Sequence, residues 1–239
     1  MTLDPNDLLF NLDLLEDIEK ATLRLVVQAV YDFSSEANEI FLQEQDLVAD
    51  IGEDITREAL DRLGTSIIPV RLFGKVDYKR ARFVFHADYS IRQALFIDSK
   101  AERIEGAGTA TIQTAQTSLS IRQRRGGQVL DEAGGLPMVL ETHGNAFLTT
   151  TIFVKYNYRA LPGARNELVS ISLVCLPNGI LQNRYNPTAD DTFWLVGRNA
   201  PSRGERFRVR IGLNALKGKS NWRVQRIRLT PNLAYSWDD

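Results

Sequence analysis

The hydrophobic period of this chain changes once, and the change sets its fold class. From Leu8 to about Gln45 the apolar residues Val26, Val30, Phe33, Ala37 and Phe41 recur at three- and four-residue steps, the spacing of a single helix face. A second, shorter helix is predicted from Asp54, its cap, through Arg57, Ala59, Leu60 and Leu63 to a stop at Gly64. Beyond it the pattern is that of strands. Leu72 to Asp77, Ala81 to His86 and Gln93 to Asp98 are short runs rich in Val, Phe and Ile, separated by turn-length gaps, and read as a meander. Residues Thr109 to Arg124 have helix-length spacing, with Ile112, Ala115 and Leu119 on one side, and the Gly-rich stretch 125–146 reads as irregular. Further apolar runs follow at Thr150–Tyr158, Leu168–Leu176, Thr192–Val196, Phe207–Leu213 and Trp222–Leu229. Helices first, then strands around one intervening helix, predict a mixed α/β domain. With no internal repeat or linker, the chain reads as one domain over residues 1–239. Within it lie an acidic helical part (1–64), a sheet (70–176) and a basic part (177–230).

Composition narrows the function classes. At 44% hydrophobic and 25% charged residues, the chain is neither low-complexity nor wholly disordered. No apolar run approaches the ~20 residues of a membrane span, so no membrane association is expected. The N-terminus, Met1-Thr2-Leu3-Asp4-Pro5, lacks the basic region of a secretory signal. Cys175 is the single cysteine, which excludes intrachain disulfides and multi-cysteine zinc sites and fits the reducing cytoplasm. His86 and His143 are the only imidazoles, so chemistry must run on carboxylates, lysines, arginines and hydroxyls.

The near-zero net charge hides two ends of opposite sign. Residues 1–61 carry sixteen acids against Lys20, Arg24 and Arg57, whereas residues 197–228 carry ten bases against Glu205 alone. Such asymmetry points to a polyanionic partner. It is equally compatible with a solvated face or with internal pairing to the acidic helices.

The sequence Ala94-Leu95-Phe96-Ile97-Asp98-Ser99-Lys100 is an apolar strand run ending in Asp-x-Lys. Side chains alternate along a strand, so Asp98 and Lys100 share one face. Burying both is costly unless they pair with each other, a metal or a phosphate. Asp77 closes the neighbouring run Phe73-Gly74-Lys75-Val76-Asp77 and offers a second carboxylate. One or two carboxylates with substrate phosphate oxygens suit Mg2+, and a lysine beside them can orient water and offset charge on phosphoryl oxygens. The spacing Asp-x(20)-Asp-x-Lys is the sequence form of a PD-(D/E)xK nuclease site. On its own it is a weak signal, and without context a surface salt bridge at a strand end is the commoner explanation.

The surrounding blocks are more specific. Val76-Asp77-Tyr78-Lys79-Arg80, Ile97-Asp98-Ser99-Lys100-Ala101, Ser172 to Pro177, Arg184-Tyr185-Asn186-Pro187, Gly197 to Glu205, Arg208-Val209-Arg210 and Trp222-Arg223-Val224-Gln225, with Glu53-Asp54-Ile55-Thr56 and the Gln113, Gln116 pair, run in order from about residue 15 to 228. In these the chain resembles the SfiI-type family of type II restriction endonucleases. The resemblance implies a PD-(D/E)xK restriction-endonuclease-like fold, a central mixed β-sheet flanked by helices. It implies a type II site-specific deoxyribonuclease that uses Mg2+ to hydrolyse both strands of a duplex at a palindromic or interrupted-palindromic site. The metal acids then fall on Asp77 and Asp98 and the catalytic lysine on Lys100. Ser99 stands where the family pattern has Ala, on the face opposite the pair, and Arg198 where a lysine is expected.

The resemblance places base-reading side chains at Arg198, Arg208 and Arg210. Arg208 and Arg210 share one strand face, with Val209 and Ile211 on the other, and arginine's planar fork matches guanine O6 and N7 in the major groove. Arg203, Arg206, Lys217 and Lys219 are assigned to phosphates, which position the protein without reading sequence. Cutting both strands of a palindrome calls for two active sites about a twofold axis, hence a homodimer or homotetramer, with the apolar-striped N-terminal helices as its interface.

Other candidates are set aside. His86 and His143 lack a Ser or Cys partner and read as structural, and Cys175 as a core thiol. Gly106-Ala107-Gly108, Gly126-Gly127 and Gly134-Gly135 lack the Lys-Ser/Thr ending of a phosphate loop. Glu53 reads as a solvated helix acid, and Trp194, Trp222 and Trp237 as packing residues. Two rivals remain: a repair or structure-selective nuclease of the same fold, and a non-catalytic DNA-binding protein.

Overall fold

The computed structural model describes residues 2–43, 48–62, 71–76, 79–106, 108–142, 144–163, 165–196 and 208–239, with the side chains of 48–50, 71–76, 79–81 and 208 left aside. Pro5–Phe10 form a 3-10 turn whose N-cap, Asp4, accepts from the Asn6 amide. Helix α1 (Leu12–Asp32) follows at once, capped by the Asn11 side chain, which accepts from Leu14 N at 3.1 Å. The helical pattern expected to run on to Gln45 breaks at Phe33, and α2 (Ser34–Gln43) resumes it. At the break the Ser34 hydroxyl donates to Tyr31 O at 2.6 Å, a local bond that competes with helix continuation. Helix α3 (Val48–Arg62) starts six residues before the expected cap, so Asp54 lies inside it and pairs with Arg57. Leu63 and Gly64, the expected stop, fall outside the described residues.

Strands β1 (Arg71–Val76), β2 (Lys79–His86) and β3 (Ile91–Arg103) form the expected antiparallel meander. Residues 109–124 are not a helix. They comprise β4 (Thr109–Gln113), a 3-10 turn at Thr114–Gln116 and the start of β5 (Ile121–Arg125). The cause is visible in β4: Ala110 and Ile112 turn inward while the β-branched Thr109 and Thr111 alternate with them, a strand pattern that mimics helical spacing once a turn follows. The stretch expected to be irregular, 125–146, also holds strands among its described residues. Gly126 and Gly127, at φ +57° and +80°, close a two-residue hairpin between β5 and β6 (Gln128–Glu132), a turn that needs positive φ at both central positions. Strand β7 (Val139–Thr142) completes that stretch.

Long strands β8 (Asn145–Leu161) and β9 (Arg165–Leu176) follow, then α4 (Gln182–Tyr185), β10 (Trp194–Val196), β11 (Arg208–Gly212), α5 (Leu213–Lys219) and β12 (Val224–Arg228). The main sheet runs β1-β2-β3-β8-β9-β12, with β7 paired to β8. Among the described residues only its β3–β8 junction is parallel, so the sheet is mixed. A second sheet runs β10-β11-β4. Helices α1–α3 cover one face of the main sheet, where Val26, Phe41 and Ile55 pack with Leu95, Val154 and Ile171. The small second sheet covers part of the other face, through Ile112, Val209 and Ile211 against Phe153 and Val174. The apolar stripe of α1 and α2 is thus consumed by the sheet beneath it, which removes the basis for reading it as an oligomer interface.

The two charged ends meet. Arg223 is fully buried, 2.8 Å from the equally buried Glu19 of α1, and Arg184 pairs with Asp13 and Glu16. In Arg184-Tyr185-Asn186-Pro187, Asn186 is the buried clasp: its side chain donates to Arg122 O at 3.0 Å and accepts from Arg122 N at 2.9 Å and the Trp194 indole at 3.1 Å. Trp194, Trp222 and Cys175 are buried, as expected of packing residues. Among the described residues, no helix is long and apolar enough to cross a membrane.

Candidate active site

Strand β3 is longer than expected, so Asp98 and Lys100 sit within it rather than at its end. Its alternation sorts the side chains as predicted. Leu95, Ile97 and Ala101 pack toward the helices, which leaves Asp98, Lys100 and Glu102 on the opposite face. The Lys100 ammonium lies 2.7 Å from Asp98 Oδ2, with the side chains 33% and 21% exposed. Asp98 Oδ1 accepts from Gln116 Nε2 at 2.9 Å. Oδ2 is buried and, among the described residues, accepts no hydrogen bond of regular geometry despite the nearby ammonium. A buried carboxylate oxygen left in this state is costly, and it suits a cation that takes oxygen ligands. The donor chemistry therefore fits a divalent metal at Asp98. Asp77 lies outside the described residues, and among those described no three His, Cys, Asp or Glu side chains cluster as a metal site.

On its other face β3 is pinned to α3. Ser99 donates to Thr56 Oγ1 at 2.7 Å, and Thr56 donates to Gly52 O at 2.9 Å. The Thr56 proton being engaged, the Tyr156 hydroxyl donates to Thr56 at 2.8 Å. Burial of that phenol pushes its pKa well above the usual tyrosine range. A Cβ at Gly52 would stand 3.2 Å from Tyr156 Cδ2, so glycine permits this close approach of helix to sheet. Ser99 faces away from the pair, as expected, and it adds a hydrogen bond between strand and helix.

Two further residues were not assigned to the site from the sequence. Lys155 is level with Lys100 on the adjoining parallel strand and is 2% exposed. Its ammonium meets Glu102 at 2.7 Å and donates to Gly106 O at 2.6 Å and to Thr109 O, tethering the turn that leads into β4. A lysine inside the apolar run Thr150–Tyr158 was its available signal. Gln116 entered only through a resemblance, because its contact with Asp98 is created by the turn after β4.

Of the expected DNA-reading residues, Arg198, Arg203 and Arg206 lie outside the described residues, as does His143. Arg208 opens β11 directly opposite Gln113 of β4, and Val209 and Ile211 are fully buried. Arg210 is half-buried and donates to Val196 O at 3.0 Å. Lys217 and Lys219 are already engaged, with Asp238 and Asp191. His86 is buried against Tyr89, and burial lowers its pKa.

The pattern for the type II restriction enzyme SfiI matches residues 30–227. The type II restriction enzyme SfiI of Streptomyces fimbriatus is 35% identical over 244 residues, covering 96% of this chain and 91% of the relative. The crystal structure of tetrameric restriction endonuclease SfiI bound to cognate DNA superposes with a TM-score of 0.81 at 34% identity, over 98% of this chain and 91% of that one. The restriction endonuclease BglI bound to its DNA recognition sequence superposes at 0.77 with 16% identity, over 95% and 94% of the two chains, a likeness of fold. The architecture is that of the restriction endonucleases, and the extent of the sequence match settles the rest: this chain belongs to the SfiI family of type II restriction enzymes.

Proposed function

We propose that this chain hydrolyses phosphodiesters in both strands of duplex DNA at a specific site, with Mg2+ held by Asp98 and Asp77 and with Lys100 as the catalytic amine. One observation carries the reading: Asp98 and Lys100 share a face of β3, with Asp98 Oδ2 buried 2.7 Å from the ammonium and, among the described residues, accepting no hydrogen bond of regular geometry. When bound, the ion supplies positive charge for phosphate oxygens and a water of lowered pKa. Lys100, beside Asp98, would orient the attacking water and balance charge developing on the phosphoryl group. Arg208 and Arg210 read base edges from β11 together with Arg198, and Arg203 holds a phosphate.

The solved SfiI relative is a tetramer on cognate DNA. Two active sites about a twofold axis are the least that cuts both strands of a palindrome. The chain therefore works as a homodimer or homotetramer, as one endonuclease domain over its whole length, on DNA in the cytoplasm. Digestion of plasmid DNA with Mg2+, followed by run-off sequencing of the ends, tests the reading. Discrete fragments with one shared end sequence are expected. A smear or fork-dependent nicking favours a repair nuclease, and intact DNA with or without Mg2+ favours a binding protein without catalysis.

A further inference from the structure

Gln116 connects the strand assigned to reading DNA with the carboxylate assigned to the metal. Strand β11 pairs with β4 residue for residue, Arg208 opposite Gln113 at the end of β4. The chain then turns through Thr114–Gln116, and the Gln113 backbone N–H donates to Gln116 Oε1 at 2.8 Å. The other end of the same amide, Nε2, donates to Asp98 Oδ1 at 2.9 Å. An amide held at both ends has one workable orientation. Flipping it would set an oxygen against the Asp98 carboxylate and an NH2 against the Gln113 N–H. The amide is planar, so a shift of β4 moves the donor that sets the Asp98 carboxylate. Among the described residues, Asp98 Oδ2 faces the Lys100 ammonium without a hydrogen bond of regular geometry.

We propose that Gln116 is a positioning residue that transmits the seating of β11 on DNA to the carboxylate of Asp98, so that the correct site aligns the metal acid. The proposal rests on the reading of Asp98 as a metal ligand and of β11 as the recognition strand. It gives Gln116 two duties a merely structural side chain lacks: setting metal affinity, and making cleavage more selective than binding. Partners that orient metal ligands change metal affinity or activity by about 10–100-fold when removed.

The test is Gln116→Met in the full chain, near-isosteric and without hydrogen-bonding atoms facing Asp98. Mn2+ binding to the DNA-free protein is followed by loss of the free-ion spin-resonance signal. Single-turnover cleavage with Mg2+ is compared on the site found by digestion and on a duplex altered at one base pair. Mn2+ affinity is expected to fall about 10–100-fold, and cleavage to fall more at the correct site than at the altered one. Metal-free DNA affinity and melting temperature should stay as in wild type. Unchanged Mn2+ binding and cleavage overturn the proposal, as do equal losses at both sites accompanied by a lower melting temperature. Should Gln116→Met fail to fold, Gln116→Asn keeps an amide on an arm one methylene too short to bridge both partners, and must show the same losses. Asp98→Ala, run alongside, separates the two readings. If it keeps wild-type Mn2+ binding and cleavage, the metal site is misassigned; if it loses both while Gln116→Met keeps both, the relay alone is wrong.

Discussion

The Lys100 ammonium stands 2.7 Å from Asp98 Oδ2, two residues back along the same strand. The alternation of β3 enforces this neighbourhood, since residues two apart emerge on one face. The two groups neutralise each other, and in the proposed reaction a cation and a phosphate would take them over. Lys100→Met should slow cleavage by about 10²–10⁴-fold while DNA binding without metal persists. Asp98→Ala should remove cleavage and tighten metal-free DNA binding, because it deletes a negative charge beside the proposed phosphate position. Filter binding and single-turnover kinetics on the two variants measure both effects. Rapid cleavage by either variant is incompatible with the assignment.

Glu19 and Arg223 form the most deeply buried ion pair among the described residues, both 0% exposed and 2.8 Å apart. The Glu19 carboxylate also accepts from Asn178 N at 2.8 Å, and the guanidinium is sandwiched 4.2 Å from the rings of Tyr185 and Trp222. Such a pair adds little net stability, but removing one member strands a charge out of water at about 3–5 kcal/mol. Glu19→Gln and Arg223→Met should each lower the unfolding free energy by that amount in urea titrations. A loss below about 1 kcal/mol, the range of exposed pairs, would show that solvent reaches the site.

His86 should make the protein acid-sensitive. It is buried against Tyr89, ring centroids 5.1 Å apart, and burial disfavours its charged form, with Asp88 offsetting part of the effect. Its folded pKa therefore lies below the ordinary 6.5. As the pH falls through that value the unfolded chain takes up a proton that the folded one refuses, and stability is lost until the folded pKa is passed. His86→Phe keeps a ring against Tyr89 and removes the proton. The stability gap between wild type and variant should widen in the variant's favour from pH 7.5 to pH 5. Parallel melting curves for the two proteins would assign the acid sensitivity elsewhere.

The legible parts of this structure are those decided by local periodicity. The α1 stripe, the β1–β3 meander and the shared face of Asp98 and Lys100 follow from spacings of 3.6 and 2. Residues 109–124 misled because Ile112, Ala115 and Leu119 reach helical spacing across a strand and a turn. Gln116 and Lys155 were illegible as site residues for another reason. The β4 turn packing on the main sheet brings Gln116 to Asp98, and the parallel pairing of β3 with β8 brings Lys155 to Glu102, neither of which a local pattern encodes. The charge asymmetry allowed both a DNA face and internal pairing, and burial chose pairing for Arg223 while leaving Arg210 of β11 half-buried.

Strand β11 offers the sharpest test of sequence reading. Val209 and Ile211 are buried beneath it, and Arg210 is half-buried with its Nη2 donating to Val196 O at 3.0 Å. Arg208 begins the strand opposite Gln113. Arg208→Ala should cost about 1–3 kcal/mol in binding to the correct site and relax discrimination at one base pair, leaving other positions as selective as before. Lys217→Ala should behave differently, since Lys217 is engaged with Asp238: any loss should be uniform across sequences and appear as a shallower salt dependence. Binding measured on a panel of single-base variants at two salt concentrations separates the cases. If Arg208→Ala weakens every duplex equally, Arg208 contacts phosphate and the base-reading strand must be sought elsewhere.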